Sequence, residues 1–184
     1  MNRIIRRFLV MKKISLFFIV TLLLSLVLTA CFDGDKVSLG EPDYKGYVMD
    51  KKEGSILVVG TEPKDYSKNG GDPEYYSALW GSNAPDRIEV GQQVEVWVDG
   101  GVQESYPGQA KIGDVRVVSQ EIEENADLSE AEALRKALNK INSVEGIPVV
   151  KSIKFSEKTN SWAIEIQVEN AGEKSILTMS INDN

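Results

Sequence analysis

Gln93-Val94-Glu95-Val96-Trp97-Val98-Asp99 decides the fold. Val94, Val96 and Val98 alternate with Glu95 and Trp97, and a two-residue period is the repeat of a strand with one face in a core and the other toward water. Three valines claim the inner face, so Trp97 is expected to point outward. Upstream, Gly46-Tyr47-Val48-Met49 and Ser55 to Val59 also read as strands. They flank Asp50-Lys51-Lys52-Glu53-Gly54, whose glycine supplies the positive φ of a hairpin connection. Downstream, Asp99-Gly100-Gly101 breaks the pattern. Tyr106-Pro107-Gly108-Gln109 then sets proline and glycine at the centre of a type II turn, and Lys111 to Val118 resumes an apolar-rich strand. About five strands in such a short stretch predict a small closed β-barrel over residues 44–119, and an OB-like barrel fits the strand count and length best.

Between these strands, Thr61 to Arg87 (TEPKDYSKNGGDPEYYSALWGSNAPDR) reads as one long polar, glycine-containing insertion. Loops of that length are usually functional or disordered. Tyr75, Tyr76 and Trp80 argue for partial packing, because three large aromatics are costly to leave in water.

A second unit follows an acidic connector from Gln120 to Asp127. Ser129-Glu130-Ala131-Glu132 is a capping box, in which the serine accepts from the third helical amide while Glu132 reaches back. It opens a helix to about Asn142, with Leu134, Leu138 and Ile141 on one face and Arg135, Lys136 and Lys140 on the other. Gly146 and Pro148 are expected to end it. Strands are expected at Val149 to Phe155, Trp162 to Glu169 and Ser175 to Ile181, the middle one alternating Trp162, Ile164, Ile166 and Val168 with Ala163, Glu165, Gln167 and Glu169. Residues 127–184 therefore predict a helix packed on one side of a three-stranded antiparallel sheet. The whole reads as mainly β with α+β.

The amino-terminal end carries an address. Ile14 to Ala30 is an apolar run broken only by Ser15, Thr21, Ser25 and Thr29, and basic residues Arg3, Arg6, Arg7, Lys12 and Lys13 precede it. A basic region, an apolar region and a small-residue exit are the parts of a secretory signal, predicted over residues 1–30, with either Met1 or Met11 as the start. The exit Leu28-Thr29-Ala30-Cys31 resembles the lipobox of bacterial lipoproteins. That resemblance implies that the Cys31 thiol accepts a diacylglyceryl group and that cleavage follows Ala30. Two acyl chains, at about 0.8 kcal/mol per buried methylene, anchor stably where one is marginal. The expected place is the outer face of the cell membrane, with residues 31–43 as a flexible tether. An uncleaved signal anchor and ordinary secretion are the alternatives. Asp33-Gly34-Asp35 lacks the regular ligand spacing of a calcium loop and reads as a solvated turn.

Composition removes whole classes of function. Beyond Ala30 the chain has 28 acidic and 16 basic side chains, a balance of −12. Such a surface repels phosphate backbones, so nucleic acid is not an expected partner. With no histidine and one cysteine, the commonest general base, the commonest transition-metal ligand and any internal disulfide are missing. No metal or other cofactor is expected.

Two resemblances bear on the mature chain. Lys45 to Val118, with GYVMDKKEGSILVVG near its start and VGQQVEVWVDGGVQESYPGQAK near its end, is similar to the YobA-like family of uncharacterised Gram-positive lipoproteins. Gly91 to Trp97, Ser105-Tyr106-Pro107 and Gln109-Ala110 carry the likeness, which lends no catalytic residues. The helix followed by strands after Ser129 resembles the layout of PepSY-type domains, which occur outside cells and have been proposed to restrain peptidases.

What remains as chemistry is carboxylate or aromatic. Asp72, Glu74 and Asp86 in the insertion are imaginable partners for glycoside hydrolysis, and equally read as solvated loop charges. Tyr75, Tyr76, Trp80, Trp97 and Tyr106 are the ligand-binding candidates, lining a groove for sugar rings or an extended peptide. The competing reading has them plug a barrel end or the seam between the two units. The expectation is a membrane-anchored, non-catalytic binding or regulatory module for a protein or cell-envelope ligand, with a carboxylate-based hydrolase of envelope glycans as the alternative.

Overall fold

In a computed structural model, residues 40–118, 123–141, 145–170 and 173–184 are described. The predicted signal peptide, Cys31, both candidate start residues and most of the tether lie outside them.

β1 (Tyr44–Lys52) and β2 (Ser55–Gly60) form the expected hairpin. Glu53 (φ 44°) and Gly54 (φ 75°) between them both adopt left-handed backbone, the requirement of a two-residue type I′ turn. β3 (Ala78–Ser82), β4 (Gln93–Val98) and β5 (Gly108–Val117) complete a closed barrel in the order β1-β2-β3-β5-β4, with β4 pairing back to β1 and β3 parallel to β5. That connectivity is OB-like. Inside it, Val48, Ile56, Val58, Leu79, Val94, Val96, Ile112 and Val115 form one core, closed off by Ile88 from the β3–β4 connection.

β3 is a correction to the single long insertion. Ala78-Leu79-Trp80-Gly81-Ser82 is short and holds a glycine, so it shows no clear strand period; only pairing to β2 and β5 defines it. The Tyr106–Pro107 peptide is cis. Gly108 is the first residue of β5 and lacks the positive φ of a type II turn, so that turn is absent.

α1 (Glu130–Leu138) starts at the predicted capping box: Glu132 N–H donates to the Ser129 hydroxyl at 3.3 Å, and Ser129 N–H donates to the Glu132 carboxylate at 2.9 Å. It stops at Leu138, short of the expected Asn142. Gly146 and Pro148 do not end it; they lie within β6 (Glu145–Ser156), where the register with β7 (Ser161–Asn170) shifts. β8 (Glu173–Asn182) completes an antiparallel sheet of order β6-β7-β8.

The barrel and the α+β part share a second core. Tyr47, Met49, Leu57, Val59 and Ala78 point outward from the barrel and pack with Ala133, Leu134 and Ala137 of α1 and with Trp162, Ile164, Ile166 and Val168 of β7. Hence β2, an unbroken apolar run, is buried on both faces, as continuous hydrophobic strands usually are. The Tyr47 hydroxyl donates to the Glu130 carboxylate across this junction, and burial, followed by that carboxylate, raises the phenol's pKa. The outer face of β2 and β3, where OB barrels commonly hold oligonucleotides or oligosaccharides, is therefore occupied by the chain's own helix and sheet. Among the described residues no helix is long and apolar enough to cross a membrane.

Candidate functional site

The shortened insertion, residues 61–77, folds back on itself. Lys64 and Tyr75 exchange backbone hydrogen bonds at 2.7 and 3.0 Å, and Tyr66 N–H donates to the Asp72 carbonyl at 3.0 Å. Asp72 caps its own turn by accepting from Glu74 N–H at 2.8 Å. This loop is then clamped to the three-stranded sheet by two ion pairs of 2.6 Å, Lys151 with Glu74 and Lys174 with Asp72. Lys151 also donates to the Tyr76 hydroxyl and lies 4.8 Å from the Tyr76 ring centroid.

Where loop and sheet meet, a cleft of 380 Å³ opens. Tyr75, Tyr76 and Tyr106 form its aromatic wall, while Ile147, Val149 and Gln167 of β6 and β7 form its floor. Asp72, Glu74, Glu169 and Lys174 stand around it. Tyr106, on the β4–β5 loop, donates from its hydroxyl to the Tyr76 carbonyl at 3.2 Å, which ties two loops of the barrel together. Its ring centroid is 5.5 Å from that of Tyr75, which in turn is 5.4 Å from Tyr66. The result is a row of three tyrosines, with Tyr106 53 % exposed and Tyr66 41 %.

Three of the five aromatic candidates are thus brought together. Tyr76, at 4 % exposed, serves mainly as core, and Tyr75 and Tyr106 present the accessible rings. Trp80 is elsewhere, on β3 with the Lys52 ammonium 5.4 Å from its ring. Trp97 points outward as expected, under the Arg116 guanidinium at 4.9 Å, and donates to the Gly40 carbonyl at 3.3 Å. It pins the start of the described chain to the barrel. Asp86 is also remote, its carbonyl accepting from Lys51.

Gln167 was not legible as a site residue. It sits in the polar series of β7, where alternation places it in water, yet it is 8 % exposed and pairs with Val149 of β6 on the cleft floor. Lys151 and Lys174 were equally hidden, since only the folded chain shows which carboxylates they reach.

The electrostatics argue against Glu74 or Asp72 as a general acid. The Lys151 ammonium, followed by the Tyr76 hydroxyl, holds the Glu74 carboxyl below its ordinary value, and Lys174 does the same for Asp72. A general acid needs the opposite shift. Burial raises the Tyr106 phenol, so it stays neutral and able to donate. Among the described residues, no group of three or more Cys, Asp or Glu side chains is placed to hold a metal ion.

A DUF3221 domain, described as a protein of unknown function, is found over residues 45–119. Those bounds coincide with the barrel to within a residue or two, and leave α1 and the three-stranded sheet outside. No curated protein and no solved structure matches the chain.

Proposed function

We propose that this is a lipid-anchored, extracytoplasmic, non-catalytic binding module whose cleft takes a saccharide of the cell envelope. The observation that carries the reading is the tyrosine-walled cleft bounded by Tyr75, Tyr106 and Gln167. Its volume falls at the small end of ligand pockets, room for one or two sugar rings. Tyrosine faces stack on the apolar faces of sugars, and the Gln167 amide and the ionised carboxylates offer hydrogen bonds to hydroxyls. The basic, apolar and small-residue signal ending at Ala30, directly before Cys31, supports an anchor, and the likeness to YobA-like lipoproteins and to the PepSY layout supports a place outside the cytoplasm.

The hydrolase alternative loses ground because Asp72 and Glu74, the two candidate carboxylates at the cleft, are lowered by lysines rather than raised. The test is titration of residues 40–184 with soluble amino-sugar oligosaccharides released from peptidoglycan, followed by NMR. Expected are shifts at Tyr75, Tyr106 and Gln167, and at least about tenfold weaker binding in Tyr106→Ala, equivalent to about 1.4 kcal/mol. No shift at the cleft overturns the ligand assignment, and Cys31→Ser leaving membrane fractionation unchanged overturns the anchor.

A further inference from the structure

The three-stranded sheet has two edges, and they are built differently. β6 carries Pro148, Lys151 and Lys154 and two interruptions of register with β7, at Glu145/Val149 and Val150/Ser152. Proline, lysine and bulges are the devices that keep an edge strand from accepting another chain. β8 has none of them beyond its first two residues. All ten of its residues pair with β7 without a register shift, and no charge or proline occurs from Ser175 to Asn182. Its other side has no strand beside it among the described residues; its main neighbours are β7 and α1.

The edge also offers side-chain contacts. Ile176 is 49 % exposed and Leu177 36 %, on opposite faces of the strand. Near its carboxyl end, β8 and α1 enclose a concave surface lined by Lys136, Lys140, Ser180 and Asn182. Lys140 has no ion-pair partner among the described residues, and Lys136 reaches the Asn184 carbonyl at 3.4 Å while lying within electrostatic range of the Glu132 and Asp183 carboxylates.

We propose that β8 is a strand-addition site for an extended segment of a partner polypeptide with acidic residues at its amino end. Added antiparallel to β8, such a segment places that end beside Lys136 and Lys140, and its backbone completes the hydrogen bonds that the edge leaves open. A second copy of this chain fits less well. Two surfaces with 28 acidic against 16 basic residues repel one another, and a single strand pair buries far less than the ~800 Å² per partner of a stable protein pair. Only Lys174, at the amino end of β8, also borders the tyrosine cleft; Ser175 to Asn182 lie outside it.

The experiment uses residues 40–184 and a labelled ten-residue peptide of alternating threonine and valine with two aspartates at its amino end. Binding is followed by anisotropy, and amide hydrogen exchange shows which residues it protects. Expected are slowed exchange within 173–182, at least tenfold weaker binding in Leu177→Lys and in Ile176→Lys, and no change in Tyr106→Ala. An N-methylated peptide, which lacks alternate N–H donors, is expected not to bind. Protection elsewhere, no protection at millimolar peptide, or equal binding by the N-methylated peptide overturns the proposal. Self-association of the protein through the same amides overturns the choice of partner.

Discussion

Asp183 joins three parts of the chain through one carboxylate. It accepts from the backbone N–H groups of Asp127 and Leu128 at 2.6 and 2.9 Å and from the Trp162 indole N–H at 2.9 Å. Burial alone would raise its pKa, but these donors outweigh burial and lower it. A carboxyl whose folded pKa is lowered contributes stability that is complete above its ordinary value of 3.8 and is lost as pH falls through the lowered one. Asp183→Ala leaves the Trp162 donor and two amides unmatched, and is expected to lower Tm by on the order of 5 °C. Asp183→Asn keeps one acceptor oxygen and loses less. The acid limb of a Tm-against-pH profile, read through tryptophan fluorescence, checks the assignment: in both variants it should flatten below the aspartate range.

At the scale of elements, the contact between barrel and helix depends on Gly91. Its φ is +92°, and a Cβ there would stand 2.1 Å from the Ala131 carbonyl oxygen in the first turn of α1. Gly91→Ala therefore pushes α1 off the barrel while forcing alanine into left-handed backbone. The expected cost is about 3 kcal/mol, measured as the shift of a urea transition with unchanged slope. Elements differed in how legible they were. β4 alternates strictly because only one of its faces is covered, and α1 announces itself by its capping box. β3 was missed because a five-residue strand with glycine has no period to read. Gly146 and Pro148 read as a helix stop because the local signals for a stop and for a bulged edge strand are the same residues.

For the molecule as a whole, the shared core has a thermodynamic consequence. Tyr47, Met49, Leu57 and Val59 of the barrel are covered by α1 and the sheet, so neither part can unfold without exposing apolar surface on the other. Residues 40–184 are expected to melt in one transition, with calorimetric and van't Hoff enthalpies equal. Tyrosine fluorescence and far-ultraviolet circular dichroism should follow the same curve. Two separated transitions would show that the junction contributes little.

Local patterns determined the parts: strands where apolar residues alternate, a helix where serine and glutamate cap it, and a net negative charge beyond Ala30. Those properties are set by neighbours a few residues apart, so a linear reading reaches them. Which faces the parts cover, how Lys151 and Lys174 meet carboxylates on a distant loop, and why Gln167 is buried were decided only by tertiary structure. Each depends on groups many tens of residues apart, brought together because the outward face of β2 is as apolar as its inward one and had to be covered.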